Sequence, residues 1–273
     1  SIIGFPLAWT PGTDGVLLAE PVLAPLRTEA DLAKFTGKLK GKIVLVDAPR
    51  ELAMQNSAAG RRYNDNDLAE ASLAQINPRP RPPTNTPAAR RFAAKRNEFL
   101  KAEGAVAILT TGFRGDGGTV FAGSGGSFDG KYLDPPPSAV ITPEHYNRIA
   151  RLLDKKIPVK LELDIKARFF TDSKDSFNII GEIPGTRKKD EVVMIGAHFD
   201  SWHGGTGATD NAAGSAVMME TMRILKALDA RMERTVRIGL WGGEENGMLG
   251  SKAYVKEHFA DPDTMLLNSR HGK

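Results

Sequence analysis

Apolar positions recur along this chain in two rhythms. Short apolar runs bounded by Gly and Pro, at residues 16–23, 42–46, 105–109 and 138–141, predict strands. Residues 159–165 alternate well enough for a partly exposed strand. Helical patterns occupy residues 29–35, 88–103 and 143–153. Residues 1–15 form a short strand that ends in Pro and Gly turns. Residues 77–87 (NPRPRPPTNTP) cannot continue a helix or a central strand, so they read as an extended surface excursion. Residues 111–130 are rich enough in Gly for a long loop. No internal repeat is present.

From about Lys166 the texture changes. Residues 178–183 form a strand that stops at Pro184 and Gly185. Residues 192–197 are an apolar run suited to a strand buried on both faces. Residues 212–230 place Ala213, Val217, Ile224 and Leu228 at helical spacing, and Met218, Met219 and Met222 read as core packing. A strand at 235–241 and a helix at 251–259 follow. Strand, helix, strand, helix at these lengths predicts an α/β layer fold with at least one parallel pair.

Composition narrows the function classes. The 273 residues are 41% hydrophobic and 26% charged, which is globular and enough for two modest cores. The net charge of +4 comes from scattered Lys and Arg. The densest run, Arg187, Lys188 and Lys189, follows a Pro-Gly pair and reads as a solvated turn. Without aromatic and basic residues interleaved on one face, nucleic acid is not an expected partner. No Cys is present, so disulfides and thiolate metal sites are excluded. No apolar run approaches the roughly 18 residues that would span a membrane.

The chemistry concentrates at the ends of the later elements. His198 and Asp200 sit just past the 192–197 strand, Asp210 at the start of the next helix, and Glu244 and Glu245 close the 235–241 strand through two glycines. Parallel neighbouring strands deliver such residues to one rim, where α/β sheets bind ligands. Imidazole and carboxylate oxygens suit Zn²⁺. Of two adjacent glutamates, one can bind metal while the other acts as general base. Asp200 is placed to accept the second imidazole N–H of His198. Each residue also has a plainer reading: Asp210 as a helix N-cap, His198 as a buried histidine, and the glutamates as a charged turn. Trp202 and His203 suit the edge of a cleft or a loop surface, and His145 and His258 suit helix surfaces. The glycines of 204–214 lack the Lys-Ser/Thr of a phosphate loop. Ser124, Ser127 and Ser201 lack a nucleophile elbow.

The stretches GAHFDSWHGGTGATDNAAGSAVMMETMRIL and RTVRIGLWGGEENGMLGSKAYV resemble the signature segments of the M28 family of zinc aminopeptidases and carboxypeptidases. LKGKIVLVD, GAVAILT and PPSAVITPEHYNRIARLL resemble pieces of an inserted protease-associated (PA) domain, similar to the plasma glutamate carboxypeptidase branch. The resemblance implies a mixed-sheet α/β zinc-exopeptidase domain with a β-rich PA insert. Residues 1–15 and 166–273 would be the catalytic part and residues 16–165 the insert. It implies two zinc ions per complete site: His198 on one, Glu245 on the other and Asp210 bridging. Glu244 would be the general base and Asp200 the partner of His198. It further implies a peptide substrate and a secreted or periplasmic location, and it leaves oligomerisation open.

The family completes this site with a later Asp and a later His, so the resemblance implies a catalytic domain of which only the N-terminal part is present. Asp261, Asp263 and His271 are available as stand-ins, although nothing in the sequence places them. Two other readings stay open. One is an inactive fragment or PA-type interaction module. The other is a single-zinc enzyme like the M28-type glutaminyl cyclases, against which the insert speaks.

Overall fold

A computed structural model describes residues 1–54, 56, 58, 60, 62–74, 86–112, 114–128, 135–170, 172–173 and 175–259. The surface excursion expected at 77–87 falls almost entirely outside them, as do Asp261, Asp263 and His271. The chain divides into two compact units, residues 1–169 and 170–273. The architecture is mixed α/β, as the order of elements predicts.

The first unit is built on a five-stranded sheet in the order β1-β6-β5-β4-β3, from β1 (Gly4–Pro6), β3 (Pro21–Leu23), β4 (Ile43–Leu45), β5 (Ala107–Thr110) and β6 (Ser138–Ile141). Strands β3 to β6 are parallel, and β1 runs antiparallel to β6. Period-two alternation divides the apolar residues between two faces. Ile43, Leu45 and Leu109 pack with Tyr146 and Ile149 of α4 (Pro143–Asp154) on one face. Val44, Val46 and Ile108 pack with Leu32 of α1 (Glu29–Phe35) and Leu100 of α3 (Pro87–Ala102) on the other. Helices on both faces of short parallel strands make this unit less purely β than its sequence suggests.

Four local features depart from the sequence reading. The predicted strand over 16–23 is two strands: β2 (Leu17–Ala19) pairs with β7 (Leu161–Leu163) in a separate ribbon, while β3 joins the main sheet. The N-terminal strand, expected to belong with the catalytic part, pairs with β6. His145, expected on a helix surface, helps hold it there, its Nδ1 accepting the Ile3 N–H at 3.0 Å. Helix α2 (Asp65–Ala74) was not visible in the pattern because its few apolar side chains, Leu68 and Leu73, stay exposed. It starts on a reciprocal cap in which Asn64 and Asp67 each accept the other's N–H at 3.0 Å.

The second unit holds a three-stranded sheet in the order β8-β10-β9: β8 (Ile179–Ile183), β10 (Arg234–Trp241) and β9 (Lys188–His198). β10 is antiparallel to β8 and parallel to β9, in a register that sets Trp241 opposite His198. Helices α5 (Gly214–Ala227) and α6 (Leu249–Phe259) follow β9 and β10. Lys188 and Lys189 belong to β9 rather than to a turn, and Arg187 pairs with Glu233 beside them.

The expectation that residues 192–197 are buried on both faces is corrected here. Val193 is 47% exposed and Val192 and Met194 are 36% exposed. Among the described residues β9 pairs on one edge only, whereas β10 is flanked on both and buries Val236, Ile238 and Leu240. Met219, read from sequence as core, is likewise exposed on α5, beside Val217.

Tyr146 is fully buried, and its hydroxyl both donates to the Asp47 carbonyl (2.7 Å) and accepts the Asp47 N–H (2.8 Å). Burial, with the neighbouring Asp47 charge, pushes the phenol far above its ordinary range. Tyr146→Phe leaves two backbone groups without that partner and is expected to lower unfolding free energy by about 1–3 kcal/mol. Denaturant titration checks this, and unchanged stability would contradict the role.

Candidate metal centre

Two strand ends converge in the second unit. The parallel pairing of β9 and β10 continues one residue beyond β9, where the Phe199 N–H donates to the Trp241 carbonyl at 3.0 Å. β9 therefore delivers His198 and β10 delivers Glu244 and Glu245 to one rim. Gly243 turns the chain there with a φ of +67°, a conformation that strongly favours glycine. The turn is tied down by Asn178, which accepts the Gly242 N–H at 3.1 Å and donates to the Gly250 carbonyl at 3.0 Å.

Asp200 links the two strand ends. Its carboxylate oxygens accept the backbone N–H of Glu244 (3.0 Å) and of Glu245 (3.2 Å). The His198 Nδ1 lies 3.1 Å from the Asp200 carbonyl and 3.5 Å from its carboxylate. The sequence reading assigned the imidazole to the carboxylate. The backbone carbonyl is the nearer partner, and the carboxylate is committed to the glutamate turn. This partner orients Nε2 toward the rim.

Nε2 faces acids. Asp210 Oδ1 lies 3.0 Å away and Glu244 Oε2 3.8 Å away. One ligand atom each from His198, Asp210 and Glu245 lie within 4.8 Å of one another. Asp210 reaches this point because the segment Ala208–Ala213 departs from helical backbone at Asp210 and Asn211. Asn211, not Asp210, accepts the Gly214 N–H at the start of α5, at 3.2 Å. The Asp210 side chain remains 75% exposed.

Two residues at the site escaped the sequence reading. Ser215 is buried and donates to the His198 carbonyl at 2.8 Å, tying the first turn of α5 to the end of β9. Only the small-polar residue after Gly214 hinted at it. Asn178 gave no signal, because its partners are backbone groups more than sixty positions away. Trp202, read as a cleft-edge or loop-surface residue, hydrogen-bonds the Glu245 carboxyl, and His203 is exposed.

The electrostatics fit a cation. Desolvation raises the Glu245 pKa, and Asp210 and Glu244 raise it further, against opposing pulls from His198 and Trp202. For His198 desolvation lowers the pKa, but the Asp200 carbonyl and the charges of Glu244, Asp200 and Asp210 outweigh it, so the net shift is upward. Three carboxylates crowding one imidazole carry excess negative charge. Their donor types, one imidazole nitrogen with carboxylate oxygens, suit zinc without thiolates.

The sign of these shifts gives a test. In metal-free protein His198 is expected to hold its proton above its ordinary 6.5, and Glu244→Gln should bring that value down. Zinc must displace this proton, so zinc affinity should fall as pH drops through the raised His198 value. Imidazole NMR titration reads both effects. A His198 value at or below 6.5 would contradict the electrostatic account.

Comparison with known proteins agrees with the geometry. Residues 178–269 match the model of peptidase family M28. Carboxypeptidase Q of Bos taurus is 35% identical over 131 residues, which are 48% of this chain and 28% of that protein. The crystal structure of a peptidase M28 precursor from Shewanella amazonensis superposes with a TM-score of 0.58 at 27% identity, covering 95% of this chain and 52% of that one. BSAP, a zinc aminopeptidase from Bacillus subtilis, shares the fold with a TM-score of 0.55 at 23% identity, covering 94% of this chain and 49% of that one. The chain thus spans about half the length of these solved structures, and the match to carboxypeptidase Q spans little more than a quarter of that protein. Across residues 178–269, then, the chain is similar to peptidase family M28.

Proposed function

We propose that the protein is a zinc-dependent exopeptidase of aminopeptidase or dipeptidase type, with peptides as substrates. The observation that carries this reading is the convergence of His198, Asp210 and Glu245 donor atoms within 4.8 Å, beside a second glutamate. The named functions of the M28 relatives support it. Zinc held there would polarise the scissile carbonyl and acidify a water.

The chain's own residues carry the other tasks. His198 offers Nε2, since Nδ1 is taken up at the Asp200 carbonyl. Asp210, whose side chain is 75% exposed, would be the carboxylate shared by two ions if both are held. Glu245 is held by the Trp202 indole and offers the remaining oxygen. Glu244 is the general base. Its carboxylate is 38% exposed and within 3.8 Å of Nε2, close enough to take a proton from an attacking water and return it to the leaving amine. Asp200 fixes the backbone on which both glutamates stand and so acts as a positioning residue. In the same reading residues 16–165 are a PA insert.

The test pairs elemental analysis of the purified protein with hydrolysis of aminoacyl anilides and dipeptides. Glu244→Gln is expected to retain zinc and to lose about 10²–10⁴-fold in turnover. His198→Ala should lose zinc and turnover together. Turnover that survives Glu244→Gln would refute the assigned base. Cyclisation of an N-terminal Gln peptide in place of hydrolysis would overturn the peptidase assignment.

A further inference from the structure

The first unit contains a cleft that the metal chemistry does not use. Its volume is about 370 Å³, within the usual range for small-ligand sites. Val46, Ile108 and Val140 form apolar wall, while Arg96 and Asn97 of α3 and Asp47 after β4 supply its polar groups. Asn97 braces the rim by donating to the Gly125 carbonyl at 2.9 Å.

Arg96 is unusual within it. Its Nε is sealed from solvent and has no hydrogen-bond partner. Among the described residues its guanidinium makes no ion pair. Asp47 gives it electrostatic support, but one oxygen of that carboxylate is already engaged. One oxygen accepts the Thr111 N–H at 2.9 Å and also the Thr110 hydroxyl. Burial weighs against the Arg96 charge more than Asp47 favours it, yet a guanidinium does not deprotonate in a protein. A sheltered cation with an unused buried donor is costly until an anion meets it.

We propose that this cleft binds a carboxylate carried on a small apolar body, with Arg96 as its partner. The planar guanidinium matches a carboxylate with paired donors, and the Val and Ile wall accepts an aliphatic side chain. A free apolar amino acid and the C-terminal residue of a peptide both present that chemistry. No residue lining it belongs to the metal donor set, and the proposal does not depend on the peptidase reading.

Amide-shift NMR on the metal-free protein tests this with L-leucine, L-leucinamide, N-acetyl-L-alanyl-L-leucine and inorganic phosphate. The carboxylate ligands are expected to shift the Thr111 and Gly125 amides, with leucinamide and phosphate about tenfold weaker or worse. The tighter of leucine and the acetylated dipeptide identifies the source as free amino acid or chain end. Arg96→Met should weaken both by about tenfold or more. If that variant does not fold, the comparison of leucine with leucinamide on the wild-type protein decides alone. Leucinamide or phosphate binding as well as the carboxylates, an unchanged affinity in Arg96→Met, or no shift of these amides with millimolar carboxylate would each overturn the proposal.

Discussion

The candidate centre depends on one carboxylate receiving two consecutive backbone N–H groups. Asp200, just past β9, binds the amides of Glu244 and Glu245, just past β10, at 3.0 and 3.2 Å. Those amides lie in a turn, outside any sheet ladder. Without Asp200 the glutamate turn would keep its tie through Asn178 but lose its side-chain link to the end of β9. With it, the parallel register that sets Trp241 against His198 extends past the strands and into the side chains. Charge-assisted hydrogen bonds of this kind are stronger than neutral ones, which suits a joint between two loop segments.

A rim assembled this way is electrostatically unfinished. His198 and Glu245 both have raised pKa values, Glu245 through desolvation and then the Asp210 and Glu244 charges, His198 because the Asp200 carbonyl and the surrounding acids outweigh its desolvation. Such a cluster destabilises itself unless protons or a cation neutralise it. The local chain answers the same demand: Asn211, not Asp210, accepts the Gly214 N–H at the start of α5, and the Asp210 carboxylate lies beside Nε2. Positional precision comes from hydrogen bonds made by Asn178, Asp200, Asn211 and Ser215. None of the four belongs to the donor set.

Much of this was legible in the sequence, in proportion to how local each signal was. The helix over Glu29–Phe35 and the strand over Ser138–Ile141 appear as their apolar pattern predicts, since both bury a face against near neighbours. The five acidic and imidazole positions at the rim could be named because strand ends and glycine turns are local features. The partnership of Asp200 with backbone amides forty-four and forty-five residues away has no local signature. The same is true of Ser215 and Asn178. The exposure of β9 escaped the reading because an apolar run reports composition and does not report how many neighbours a strand has. The split of residues 16–23 into β2 and β3 escaped it for a similar reason, since alternation does not reveal a change of sheet at Glu20.

The central claim is that His198, Asp210 and Glu245 converge to hold zinc. Anomalous X-ray diffraction at the zinc edge, on crystals grown with zinc, tests it most directly. The account predicts an anomalous peak about 2.0–2.2 Å from His198 Nε2 and from an Asp210 oxygen, with Asp200 outside bonding range. Zinc bound elsewhere with this rim empty, or a peak coordinated through Asp200 in place of Asp210, would contradict it.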